Sequence, residues 1–431
     1  MSVEAKLDKH VSSYAPMAER LFEQIGARTR NDGGINRAPY GPGEQIAHDL
    51  IADAARTLEL DLERDWGGNL YMRLPGNGLS NETCMTGSHL DSVPHGGNFD
   101  GLAGVIAGLV AVASIRGVGI APARHITVMG IRGEENAWFG VQHIGSQIAL
   151  GRFAPELLDS SRRIDTGSTL SAHIAEAGFD AGPIKEGLAY LNPLAIRCFL
   201  ELHIEQGPSL EAASLPIGIV SGIRGNLRCA DIQCLGAADH AGAVPRTLRR
   251  DAVYASCELV CGMNSLWADL EGQGCDLVMT FGKFGTNPAT HSITTIPGEV
   301  RFSFEARSLA ISALSQIEEA LRERASIVAN MRNVTFQFGR FTRAAPISMN
   351  VQLHDALIEG AKTLGISAIS IASGAGHDSA DFAGAGIRTG MVFVRNQNGS
   401  HNPAESMNMS DFMEGTRLLT WMLAREATAD D

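Results

Sequence analysis

Residues 101–115 form an uncharged run rich in Ala and Leu, set between two short β-branched runs at residues 83–88 and 125–131. Nothing else in the chain constrains the fold as tightly. An apolar run of this length reads as a buried helix, and strand, helix, strand at this spacing is a βαβ unit. A third run at residues 198–204 extends the pattern. The expectation is an α/β fold with a mostly parallel sheet flanked by helices. Upstream, residues 15–60 read as helices interrupted by NDGGINRAPYGPGE, whose Gly, Asn and Pro break the periodicity.

Near Ser221 the rhythm changes. Residues 227–234, 250–266, 277–281, 299–306, 311–329 and 333–338 read as strand, helix, strand, strand, helix, strand, which is the ferredoxin-like order. A large domain, 1–221 with 340–431, is therefore expected to be interrupted by a smaller α+β domain, 222–339. The net charge of −13 leaves no basic patch for nucleic acid. No uncharged run reaches the ~18 residues of a membrane span, and MSVEAKLDKH lacks the apolar stretch of a secretory signal. The seven cysteines are odd in number and show no CxxC pair, so they read as buried free thiols of a reducing compartment. The cytoplasm is the expected location, with no nucleic-acid or membrane partner.

The chemistry-bearing residues fall just past the strand ends, where open α/β sheets build their sites. GSHLDSVPHGGNFDG carries His89, Asp91 and Asp100; RGEENAWFG carries the adjacent carboxylates Glu134 and Glu135; ELHIEQGP carries His203; NGSHNPAES carries His401. Imidazole and carboxylate donors with one position left for water suit a first-row metal. His89 and Asp91 are two apart on extended backbone and point the same way, so Asp91 can accept the second ring N–H of His89. Asp100 can bridge two ions, while one adjacent glutamate ligates and the other takes a proton from water. Each residue alone has an inert alternative: a helix cap for Asp100, a solvated turn for the glutamates, a core imidazole for His203, a loop imidazole for His401. Their coincidence at strand ends and Gly turns points to a two-metal hydrolase.

These motifs, with DHAGAVPRTLRRDA and SGAGHDSADFA, resemble the amidase, hydantoinase and carbamoylase branch of the M20 dinuclear metallopeptidase superfamily, over nearly the whole chain. That branch includes N-carbamoyl-L-amino acid hydrolases, β-ureidopropionases and allantoate amidohydrolases. The resemblance implies two divalent ions per subunit, Zn, Mn, Co or Ni. His89, Asp100 and His203 would surround one, and Asp100, Glu135 and His401 the other. Glu134 would be the general base and acid, and Asp91 would orient His89. The small domain would be a lid and dimerisation domain of a homodimer. Its His240, in DHAG, would reach the neighbouring subunit's site and hold the oxyanion. Its Arg307, in EARS, would clamp the carboxylate of a small-molecule substrate, a task that suits a guanidinium fork. Gln206, Gly376, His377 and Asp378 would line the pocket.

Three positions depart from the branch: His291 and Thr294 stand where it has asparagine, and Arg246 where it has methionine. All three lie on the substrate side. The expected reaction is hydrolysis of the carbamoyl C–N bond of an N-carbamoyl amino acid, releasing ammonia, carbon dioxide and the amino acid. Allantoate hydrolysis, or aminoacylase- or dipeptidase-type amide cleavage on the same site, is the alternative. A non-catalytic metal-binding protein fits less well, because no ligand is missing.

Overall fold

A computed structural model describes residues 3–429, so the first two and the last two residues of the expected larger domain lie outside it. The chain divides into two compact units, one joining the residues up to Ser221 to those from Met349 on, the other spanning Gly222–Ser348. Residues 340–348 thus group with the second unit and not with the first, as the sequence suggested. The reason is pairing: Phe341–Ala344 continues the ladder along Gly225–Leu235.

The strands of the larger unit are β1 (Asp61–Arg64), β2 (Leu70–Leu74), β3 (Thr83–His89), β4 (His125–Ile131), β5 (Ile196–Ile204), β6 (Ile217–Ile223), β7 (Ala368–Ser373) and β8 (Thr389–Val394). They lie in the order β7-β6-β8-β5-β3-β4-β2-β1. The central four, β8, β5, β3 and β4, run parallel. Outside them β6 joins β8, β2 joins β4 and β1 joins β2, all antiparallel. The sheet is therefore mixed, a correction to the mostly parallel expectation. Only residues 65–69 connect β1 to β2, too few for a parallel crossover.

Four helices matter for the site: α1 (Pro42–Thr57), α2 (Leu102–Gly117), α3 (Val351–Thr363) and α4 (Met409–Thr428). Every residue of α2 from Leu102 to Ile115 is buried, as an uncharged run requires. It packs between β3 and α4. At Gly104 a Cβ would lie 2.2 Å from the Leu202 carbonyl oxygen, so glycine permits the helix to press directly on β5. Strand β3 is buried on both faces from Cys84 to His89, as a central parallel strand should be. His89 thus arrives at a fixed place.

In the second unit Val278–Thr280, Glu299–Ser308, Gly225–Leu235 and Thr335–Phe338 lie side by side in that order, all antiparallel. Helices Ala252–Gly272 and Ile311–Arg332 supply Leu259, Ile317 and Leu321 to a core shared with Phe302 and Phe304. Burial alternates along Glu299–Ser308, the pattern of a sheet covered on one face. Asp251 caps the first helix, accepting from the backbone N–H of Val253 and Tyr254 at 3.0 and 3.2 Å. All seven cysteines are free, but Cys257 and Cys261 are exposed on that helix, one turn apart on its outer face, against the expectation of buried thiols. No helix among the described residues is long and apolar enough to cross a membrane.

Candidate metal centre

The C-terminal ends of β3, β4 and β5 deliver the site. His89 is the last residue of β3, and His203 is the second-last of β5. Glu134 and Glu135 follow β4 by two turn residues. Asp100 sits at the mouth of α2, beside Gly101, which adopts φ +67°. A Cβ there would stand 2.5 Å from the His89 ring, so only glycine lets the turn close over His89.

The side chains converge. His203 Nε2 lies 3.1 Å and His89 Nε2 3.5 Å from Asp100 Oδ1, and the two ring nitrogens are 3.4 Å apart. On the other side of Asp100, His401 Nε2 is 3.4 Å from Oδ2 and 3.2 Å from Glu135 Oε1. Asp91 has two duties. It faces His89 Nδ1 at 3.4 Å, and its two oxygens accept the backbone N–H of Glu134 and Glu135 at 3.0 and 3.1 Å. One carboxylate thus orients an imidazole and pins the turn that carries the glutamates.

The donor chemistry fits a cation. His203 donates its Nδ1 proton to the Ile204 carbonyl at 2.9 Å, which leaves a lone pair on Nε2. Asp91 does the same for His89. Asp100 Oδ1, fully buried, has no hydrogen bond of its own. Three lone pairs therefore face one another at the place where a divalent ion would separate them. His89, Asp100 and His203 form one group able to hold a metal, and Asp100, Glu135 and His401 another. The electrostatics agree. Burial pushes the Glu135 carboxyl up to about 7, while contacts first with Asp100 and then with Glu135 raise His401 to about 11. Burial would also raise Asp100, but His203, His401 and His89 outweigh it and hold it well below the usual range. A divalent cation would supply the positive charge these groups now draw from imidazoles.

Residues 85–425 match the family model of Peptidase family M20/M25/M40. The chain belongs to this family. The M20 chain is 34% identical to an N-carbamoyl-L-amino acid amidohydrolase of Geobacillus stearothermophilus, over 94% of its length and 98% of the relative's. It is 31% identical to an allantoate amidohydrolase of Escherichia coli (strain K12), over 91% and 92%. A solved Burkholderia multivorans structure, an amidase of the hydantoinase/carbamoylase family, superposes with a TM-score of 0.87 at 28% identity, covering 96% and 98% of the two chains. The hydantoinase/carbamoylase branch is thereby the one to which this M20 chain is allied.

Several residues that support the M20 centre carried no signal of their own in the sequence. Arg37, fully buried, donates from Nε to the Leu90 carbonyl at 2.7 Å and from Nη2 to the Asp100 carbonyl at 3.3 Å, tying both ends of the segment that holds Asp91. Ser400 Oγ lies 2.8 Å from Asp100 Oδ2 and 2.6 Å from Glu405 Oε2. Glu405 in turn accepts the backbone N–H of Phe99 and Asp100 at 2.9 and 3.2 Å. Both stand in the NGSHNPAES motif beside His401, which is where a search for them could have begun. His143 is a further one. It is only 5% exposed and touches Glu134 Oε1 at 3.1 Å and Asp381 Oδ2 at 2.7 Å.

Of the substrate-side residues, Gln206 joins the centre directly, donating to Asp100 Oδ2 at 3.0 Å. His377 is buried with its ring 4.4 Å from that of His203, so it backs a ligand of the centre. Asp378 is buried as well, and Gly376 stands against the His143 ring. His240, Arg307, His291 and Thr294 belong to the second unit. There His240 and Thr294 are neighbours on paired, exposed segments. His240 Nδ1 accepts the backbone N–H of Gly242 and Ala243, both at 3.1 Å, which places the ring proton on Nε2. His291 meets Thr286 Oγ1 at 2.7 Å, and Arg307 pairs with Glu305 at 3.0 Å.

Proposed function

We propose that this chain hydrolyses the carbamoyl C–N bond of an N-carbamoyl amino acid. The observation that carries the hydrolytic part is the cluster of facing lone pairs on His89, His203 and Asp100 with Glu134 beside it, the donor atoms of His89, Glu134 and Glu135 lying within 4.8 Å of one another. His89, Asp100 and His203 would hold one divalent ion, and Asp100, Glu135 and His401 a second. Zn, Mn, Co and Ni all suit such donors. When bound, the ions supply Lewis acidity that polarises the substrate carbonyl and acidifies a water.

The chain's own residues do the rest. Glu134 takes a proton from the attacking water, whose oxygen bonds to the ureido carbon. Glu134 then delivers that proton to the terminal nitrogen, the C–N bond breaks and ammonia leaves. The carbamate left on the amino acid loses carbon dioxide in solution. His240, with its proton already on Nε2, suits the oxyanion, contributed across a homodimer interface. Arg307 suits the substrate carboxylate. The carbamoyl substrate is supported by what the curated relatives are named for. A reducing, cytoplasmic compartment agrees with seven unpaired thiols.

The test is ammonia release by the metal-loaded protein from N-carbamoyl α-amino acids, N-carbamoyl-β-alanine and allantoate, with Glu134→Gln as control. Turnover of an N-carbamoyl amino acid, lost by about 10²-fold or more in Glu134→Gln while metal content is retained, is the expected result. Turnover of allantoate alone would reassign the substrate, and silence throughout would move the reading to amide or peptide cleavage. A strictly monomeric active enzyme would remove His240 from the oxyanion.

A further inference from the structure

His143 lies outside every motif that defines the centre, yet it contacts the side chain of Glu134. Its ring bridges two carboxylates carried by different parts of the fold. Nδ1 is 2.7 Å from Asp381 Oδ2, on the short helix Ser379–Gly384, and Nε2 is 3.1 Å from Glu134 Oε1. Its backbone is held too. The His143 N–H donates to the Glu134 carbonyl at 2.8 Å, closing a loop that begins and ends at the base. To do so His143 adopts φ +56° and ψ +38°, a left-handed conformation that few residues with a side chain take. Strain of that kind persists only where surrounding contacts enforce it.

The space around the ring is shaped for it. A Cβ at Gly376 would stand 3.2 Å from His143 Nε2, so the GAGHD loop keeps a glycine where the imidazole passes. Ser146 Oγ, 3.5 Å from Asp381 Oδ2, steadies the carboxylate behind the ring. Burial alone would favour a neutral imidazole. Asp381 and then Glu134 outweigh it and raise the pKa of His143 well above its usual value. The Nε2 contact is within ion-pair distance of Glu134 but off the hydrogen-bond line. Contacts of a catalytic base are often misaligned without substrate and tighten when it binds.

We propose that His143, oriented by Asp381, is the positioning residue of Glu134: it grips one carboxylate oxygen and leaves the other to exchange the proton. A base free to rotate would spend part of its time turned away from water. A base held by an imidazole that is itself held by Asp381 presents one oxygen at a constant place. This deepens the hydrolase reading and rests on Glu134 as its base.

The test uses the full chain loaded with zinc. Rates are taken on whichever compound is hydrolysed, from the panel above or from a set of N-acyl amino acids and dipeptides, so substrate identity does not enter. His143→Ala is expected to lower kcat about 10²-fold with KM and bound zinc changed by less than about twofold. Asp381→Asn should cost roughly tenfold, and the double variant should fall no further than His143→Ala, because the two act as one unit. His143→Gln keeps a donor and should recover part of the loss. In a Glu134→Gln background His143→Ala should change nothing more. An equal loss in both backgrounds, or loss of zinc from His143→Ala, would overturn the proposal in favour of a purely structural imidazole. Should the wild type hydrolyse nothing, the functional reading fails, and ¹⁵N spectra of the histidine-labelled, zinc-loaded protein decide the contact by themselves. A shift of the His143 resonances on Glu134→Gln sustains it, and an unchanged spectrum overturns it.

Discussion

His89 and His203 reach the centre from the ends of strands, whereas His401 reaches it from a loop. The first two are buried, and each has its second ring nitrogen engaged, by Asp91 and by the Ile204 carbonyl. His401 has half its side chain exposed and a backbone at φ +59°. Its partner Glu135 is held through the turn that Asp91 pins. Two donor sets sharing Asp100 therefore differ in preorganisation. Strand-borne imidazoles with oriented tautomers present their lone pairs before any ion arrives, and a half-exposed loop imidazole must be ordered on binding. The difference teaches that one half of the centre is built into the sheet and the other half is laid over it.

Four substitutions test that contrast. Asp100→Ala removes the oxygen pair common to both sets, and should abolish metal binding by metal analysis and lower turnover by about 10³-fold or more. Retention of one full equivalent of metal would show that the sets are independent. His203→Ala and His401→Ala should then differ. The former is expected to weaken the tightest bound ion on the order of 10²-fold, and the latter to release one equivalent readily to a chelator while the other stays. Equal release from both variants, measured by dialysis against a chelator, would erase the distinction between strand and loop. The smallest effect is expected of Asp91→Asn, which keeps the shape but weakens the hold on His89 and on the Glu134–Glu135 turn. It should cost about 10–100-fold in activity or metal affinity. A loss confined to activity, with affinity intact, would place its weight on the glutamates and not on His89.

Much of this arrangement was legible in the chain. The run at 101–115 announced α2 because an uncharged stretch has no face to give to water, and the β-branched runs beside it announced β3 and β4. His89, Asp91, Asp100, Glu134, Glu135, His203 and His401 stood out because each combined a metal-binding side chain with a strand end or a Gly turn. The antiparallel flanks did not stand out. A strand pattern records which residues face inward and not which neighbour it will pair with. The extension of the second unit to Ser348 escaped for the same reason, since Phe341–Ala344 is a short polar-faced strand recognised by its partner alone.

By itself the sequence determined the kinds of element, the donor types and their places at the ends of β3, β4 and β5, because periodicity, turn chemistry and strand termini are local properties of the chain. Only the tertiary structure decided which loops meet. Ser400 contacts Asp100 across 300 positions, and Asp381 contacts His143 across 238. Such pairs exist because the non-sequential order β8-β5-β3-β4 brings distant loops to one edge of the sheet. No local rule encodes that order: it follows from how helices and strands bury their apolar faces together, and the imidazole behind Glu134 became visible only when they had.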